Sequence, residues 1–142
     1  MSATLVRQAD PRDADAIWPL ARDFATSFRP RHDDFGRTFG LLLNQPSALV
    51  LVAELDETIV GYLLAHQHGA FFANGPVAWV EEVMVAEERR RLGVGQALMS
   101  AAENWARRIG AAYLSLASRR AESFYLRLGY QNSATFFKKN LT

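Results

Sequence analysis

The chain has 142 residues, 49% hydrophobic and 22% charged, with 16 Lys and Arg against 15 Asp and Glu. That length and mix suit one globular domain with its own core, and a net charge of +1 gives no overall pull toward nucleic acid or membrane. There is no cysteine, which excludes disulfides, thiolate nucleophiles and zinc–cysteine sites.

The opening MSATLVRQAD has no charged start followed by an apolar run, and no apolar stretch reaches about 18 residues, so a cytoplasmic protein is expected. Residues 3–9, ATLVRQA, alternate loosely and read as a strand. In DPRDADAIWPLARDFATSF, Asp10 is placed to cap a helix, with Pro11 at its first position. Ala16, Ile17, Leu20, Ala21, Phe24 and Phe28 recur at helical steps, and Pro19 marks an expected kink. RHDDFGRTFGLLL reads as a second helix, ended by Asn44-Gln45-Pro46. Strands at 49–54 and 58–66 flank a short hairpin at Leu55-Asp56-Glu57, and a third follows over Val77–Val85, which predicts an antiparallel meander. GVGQALMSAAENWARRIG reads as an amphipathic helix with Val94, Ala97, Leu98, Ala101, Trp105 and Ile109 on one face and Gly110 as its stop. A strand over 112–117, a short helix over 121–129 and a last strand over 131–141 complete the order. Strand–helix–strand predicts a right-handed parallel crossover. The expected fold is one α/β domain over 1–142, a central mixed and mostly antiparallel sheet flanked by helices.

The stretch RRRLGVGQAL sets arginines against a bare glycine bend at a helix start. The first N–H groups of a helix lack intrahelical partners and carry the positive end of its dipole. An anion binds there if it can approach the backbone, which glycine permits. Gly93 and Gly95 stand where this is needed, and Arg90 and Arg91 add guanidinium forks suited to phosphate. A phosphate-binding loop of the nucleotide-hydrolase type needs a lysine followed by Ser or Thr, absent here. A dinucleotide fingerprint needs a third glycine where Leu98 stands.

Arg90-Arg91-Leu92-Gly93-Val94-Gly95, after a valine-rich strand, resembles the acyl-CoA signature of the GNAT N-acetyltransferase superfamily, and AESFYLRLGY resembles its second signature through Ala121, Phe124, Tyr125, Gly129 and Tyr130. The order of elements resembles that family over essentially the whole chain. The resemblance implies transfer of the acetyl group of acetyl-CoA to an amine, without metal and without a covalent enzyme intermediate. It implies that strands four and five splay apart around the pantetheine arm, with the backbone near Val83 and Val85 bonding that arm. N–H groups from Arg91 through Leu92, Gly93, Val94 and Gly95 to Gln96 would hold the pyrophosphate. Where the family often has Asn, this chain has Ser118.

Amide formation requires the ammonium to shed a proton and the leaving thiolate to gain one, work suited to general acids and bases. Tyr125, in the family's tyrosine position, is the candidate acid; the alternative is a packed aromatic. Glu81 and Glu82 are the candidate bases, pointing to opposite faces of their strand, with Glu81 preferred because it should share a face with Val83 and Val85. His66 and His68 share a strand face, and acceptor binding suits them better than a metal, which needs more ligands. Phe71, Phe72, Trp79 and Trp105 are expected in the core, with the acceptor pocket as the alternative place for one of the loop phenylalanines, and Phe136 and Phe137 in the core or at a dimer contact along the last strand's edge. A small-molecule amine is the expected acceptor, with a likeness to aminoalkylphosphonate acetylators among others. The alternatives are an acetyltransferase of protein lysines or N-termini, or a CoA-binding sensor without turnover.

Overall fold

The computed structural model describes residues 3–142. Its first strand, β1 (Leu5–Gln8), leads into a capping box. The Asp10 side chain accepts from the Arg12 N–H at 2.8 Å, and Asp13 accepts from the Asp10 N–H at 2.8 Å. Pro11 opens the following 3₁₀ turn (Pro11–Asp13), and α1 (Ala14–Phe24) continues from it with Pro19 inside. Arg7 grips Asp13 with two bonds of 2.8 and 2.9 Å and reaches Glu54 on the next strand at 2.6 Å. One guanidinium therefore ties β1, the cap and β2 together.

After α2 (His32–Leu43) come β2 (Ala48–Leu55), β3 (Thr58–His68) and β4 (Val77–Val85), the expected meander. The β2–β3 hairpin turns through Asp56 and Glu57, both at positive φ. Then follow α3 (Val94–Arg108), β5 (Leu114–Leu116) and α4 (Glu122–Arg127). The sheet order is β1-β2-β3-β4-β5, with only the β4–β5 pair parallel. That pair is the crossover through α3 that the sequence predicts.

Each face of the sheet has its own core. On one, Leu63, Ala65, Ala78 and Val80 pack with Val94, Leu98, Met99 and Trp105 of α3. On the other, Ile17 of α1 and Phe39 of α2 pack with Val52 and Tyr62. Gly61 lets α3 settle close to β3: a Cβ there would lie 2.9 Å from the Met84 carbonyl oxygen and 3.3 Å from Leu98 and Val94.

Three expectations need correction. The last strand, 131–141, is not formed: the segment makes no ladder bonds. Phe136-Phe137 and Lys138-Lys139 are adjacent pairs, so an extended chain puts one of each on either side and has no apolar face to bury. Strand β5, expected over 112–117, pairs only over Leu114–Leu116. Phe71 and Phe72 lie exposed in the β3–β4 loop, whereas Trp105 is buried as expected and Trp79 half-buried. Among the described residues no helix is long and apolar enough to cross a membrane.

Candidate active site

Helix α3 starts at the glycine bend. Arg91 and Gly93 both adopt left-handed backbone, at φ +68° and +84°, and Gly93 caps the helix without any side-chain hydrogen bond. The first-turn N–H groups of Val94, Gly95 and Gln96 thus face out of the helix end with no partner in their own helix. A Cβ on Gly95 would stand 3.4 Å from the Phe124 ring and 3.9 Å from Val85, so the helix start packs close against α4 and β4 at this point. Leu92 is exposed and Val94 is buried against the core, so these two contribute backbone rather than side chains to the bend. Arg90 folds back on β4, donating from Nε to the Val85 carbonyl at 3.2 Å and lying 3.8 Å from the Met84 sulfur. Arg91 is exposed at the outer lip.

Beside this bend the sheet opens. The β4–β5 ladder runs Ala78–Leu114, Trp79–Ser115 and Val80–Leu116, then stops, while β4 continues to Val85. From residue 81 onward the β4 edge that faces β5 has no strand partner, which leaves backbone groups there for an extended ligand, apart from the Val85 carbonyl that Arg90 occupies. Val83 and Val85 pack against the α3-side core along this stretch. Tyr125 of α4 joins the same cluster, edge-on to Phe124 at 5.0 Å and to Tyr130 at 5.9 Å. Only 9% of its surface is exposed, yet its hydroxyl has no protein partner among the described residues and is not sealed off from water. Burial holds its pKa above the usual phenol value, so it stays protonated. Ser118 is engaged locally, its Oγ accepting the Ala121 N–H at 3.1 Å just before α4.

The two glutamates are separated by a defect in the ladder. Leu64 pairs with Glu82 and Ala65 with Val80, so Glu81 is the extra residue of a bulge. A single inserted residue reverses the alternation. Val80 and Val83 therefore face the same α3-side core, while Met84 packs on the α1–α2 side. Glu81, the skipped residue, is exposed, whereas its neighbour Glu82 is half-buried. Glu82 is half-buried on the α1–α2 side, where the Tyr62 hydroxyl donates to its Oε1 at 2.6 Å. Its pKa is raised above the ordinary carboxylate range, chiefly by burial and further by the neighbouring charge of Glu81. The Tyr62 bond and the nearby His66 oppose that rise. His66 sits across the ladder from Trp79, while His68, at the end of β3, is exposed. Tyr62 escapes a sequence reading because only the pairing of β3 with β4 brings it to Glu82.

A profile of the acetyltransferase (GNAT) family matches residues 14–130. The chain belongs to that family. It is 28% identical over 137 residues to the uncharacterized N-acetyltransferase YhfO of Bacillus subtilis (strain 168), covering 92% of each protein. It is 26% identical over 140 residues to the aminoalkylphosphonate N-acetyltransferase of Salmonella typhimurium, covering 96% of this chain and 90% of that one. Its fold is similar to that of glucosamine-6-phosphate N-acetyltransferase from Arabidopsis thaliana, with a TM-score of 0.87 at 16% identity over 99% of each chain. The protein is an acetyl-CoA-dependent acyltransferase.

Proposed function

We propose that this enzyme transfers the acetyl group of acetyl-CoA directly to the primary amine of a small molecule, with Glu82 as the base and Tyr125 as the acid. Acetyl-CoA supplies the activated acyl group. The diphosphate lies on the N–H groups of the α3 start, between Arg91 and Gln96, where the uncapped helix end and the bare Gly95 fit it. The pantetheine arm bonds the free β4 edge near Val83 and Val85, and the thioester lies in the splay before α4.

The observation that carries the reading is the state of Glu82. A carboxyl shielded from water, with one hydroxyl partner and a raised pKa, takes a proton from an ammonium more readily than an exposed one. The freed amine forms the C–N bond at the thioester carbonyl, the C–S bond breaks, the thiolate takes the Tyr125 proton, and the proton shed by the new amide nitrogen returns through water to the Tyr125 phenolate. The two proton transfers lie on opposite sides of one strand, reached through the gap between β4 and β5. The likeness to an aminoalkylphosphonate acetylator supports a small acceptor.

A thiol-release screen with acetyl-CoA against polyamines, amino acids, aminophosphonates, aminoglycosides and peptides tests this. The expected result is turnover with a small amine; binding of acetyl-CoA with no turnover, or turnover on peptides alone, contradicts it. Tyr125→Phe is expected to lower kcat by roughly 10²–10⁴ while calorimetry shows unchanged acetyl-CoA affinity. An unchanged kcat removes Tyr125 from the acid role.

A further inference from the structure

The proposed acid stands on a helix of six residues, α4, too short to hold its shape without outside support. Its C-terminal end closes in a Schellman turn. Gly129, at φ +95°, donates its N–H to the Leu126 carbonyl at 3.1 Å, and Tyr130 donates its N–H to the Tyr125 carbonyl at 3.0 Å. The side-chain contact that accompanies this turn is between Tyr130 and Tyr125 themselves, ring centres 5.9 Å apart and planes at 79°. The acid is thus part of the stop of its own helix.

Tyr130 is in turn tied to α3. Its hydroxyl donates to Oε2 of Glu103 at 2.7 Å, and both side chains are half-buried. Burial, and then the bond to Glu103, raise the Tyr130 pKa above that of an ordinary phenol, so it remains a donor. The chain beyond has its next ring contact at Phe136, which stacks on Trp79 of β4 with centres 6.2 Å apart. Six residues of extended chain reach about 20 Å, so that contact does not fix α4 and the bond to Glu103 does.

On the other side of Tyr125 stands Phe124, ring centres 5.0 Å away and planes at 76°. Phe124 packs where α3 begins, against Gly95. The two rings that flank the acid therefore both rest on α3, one at its first turn and one eight residues on, roughly 12 Å along the helix. That first turn also carries the N–H groups assigned to the diphosphate. The Tyr125 hydroxyl has no protein partner among the described residues, so its place is set by these ring contacts.

We propose that Tyr130 and Glu103 are positioning residues for acyl transfer: their hydrogen bond fixes the end of α4 to the helix that holds the diphosphate, and so sets how far the Tyr125 hydroxyl stands from that cradle. This rests on the reading of Tyr125 as the acid. Removing the bond leaves the cradle N–H groups in place on α3 and frees the ring beside the acid. Acetyl-CoA binding is then kept while proton transfer to the thiolate slows, since a shift of about 1 Å in a reacting group costs up to roughly 10²-fold in rate.

The test is thiol release from acetyl-CoA with whichever amine of the panel above the wild type turns over fastest, beside calorimetry with acetyl-CoA and thermal melting. Tyr130→Phe keeps the ring and loses the hydroxyl; it is expected to lower kcat about tenfold with acceptor KM, acetyl-CoA affinity and binding stoichiometry unchanged. Glu103→Ala has the same effect, and Glu103→Gln, which keeps an acceptor oxygen, stays within about threefold of wild type. In a Tyr125→Phe background, Tyr130→Phe lowers kcat no further. A bond that only stabilises the fold would lower Tm and leave kcat per binding site unchanged, or would slow the reaction equally in both backgrounds. Either result overturns the assignment and leaves Tyr125 as the acid. An unchanged kcat in Tyr125→Phe itself, or an enzyme that binds acetyl-CoA and turns over none of the panel, overturns the underlying reading instead.

Discussion

Asp13 and Glu82 are both carboxylates withdrawn from water, and their surroundings treat them in opposite ways. Asp13, 5% exposed, receives two bonds from Arg7 and one from the Asp10 N–H, and these hold its pKa below the ordinary range against the cost of burial. Glu82 has, among the described residues, a neutral hydroxyl as its one hydrogen-bond partner and a second carboxylate beside it, and burial pushes its pKa up. A buried charge with a matched cation serves the fold. One left without a matched cation costs stability, a cost that the proposed role of Glu82 as base would put to use.

Exchanging each carboxyl for its amide separates the two roles. Glu82→Gln is expected to lower kcat/KM by roughly 10²–10⁴ without lowering the melting temperature. Asp13→Asn is expected to do the reverse. Removing the charge that Arg7 neutralises costs about 3 kcal/mol, discounted because Arg7 is one-third exposed, or roughly 10 °C in Tm, while kcat of the folded enzyme holds. Equal effects of the two changes on both readouts would erase the distinction.

The pH dependence of stability also divides them. The lowered pKa of Asp13 gives a stabilisation that is complete above the unfolded carboxylate range and lost as pH falls through its folded value. The raised pKa of Glu82 works the other way: its favourable contribution is complete in acid and disappears as pH climbs through the raised value. The Tm of Glu82→Gln minus that of wild type is therefore expected to grow as pH rises from the ordinary carboxylate range through the raised folded value, measured by calorimetry; a constant difference would mean that Glu82 pays no desolvation cost. The smallest effect is expected from Tyr62→Phe. The lost hydroxyl had lowered the Glu82 pKa, so the acidic limb of the pH–rate profile moves to higher pH.

Features written in local spacing were legible in the sequence. The Asp10 cap followed by Pro11 and the glycine bend at Gly93 and Gly95 each depend on residues within a few positions of one another, the strand–helix–strand crossover depends on consecutive elements, and each stands where the pattern put it. The features that went unread depend on register. The bulge at Glu81 has no composition signal, since Glu-Glu in a strand reads as plain alternation, yet it decides which glutamate is sheltered. The Tyr62–Glu82 bond and the Trp79–Phe136 stack join residues 20 and 57 positions apart, and nothing local in either partner announces the other. The segment 131–141 was misread because strand-forming residue types outweighed the missing two-residue period.

The central claim, that Glu82 and not Glu81 accepts the acceptor's proton, is tested most directly by the pH profiles of kcat/KM for wild type, Glu81→Gln and Glu82→Gln. Wild type is expected to show an acidic limb that reports a carboxyl titrating above its usual range, Glu81→Gln to keep that limb but at lower pH because the neighbouring charge is gone, and Glu82→Gln to lose both the limb and most of the rate. A Glu82→Gln enzyme that keeps the limb, or a Glu81→Gln enzyme that loses it, would contradict the account.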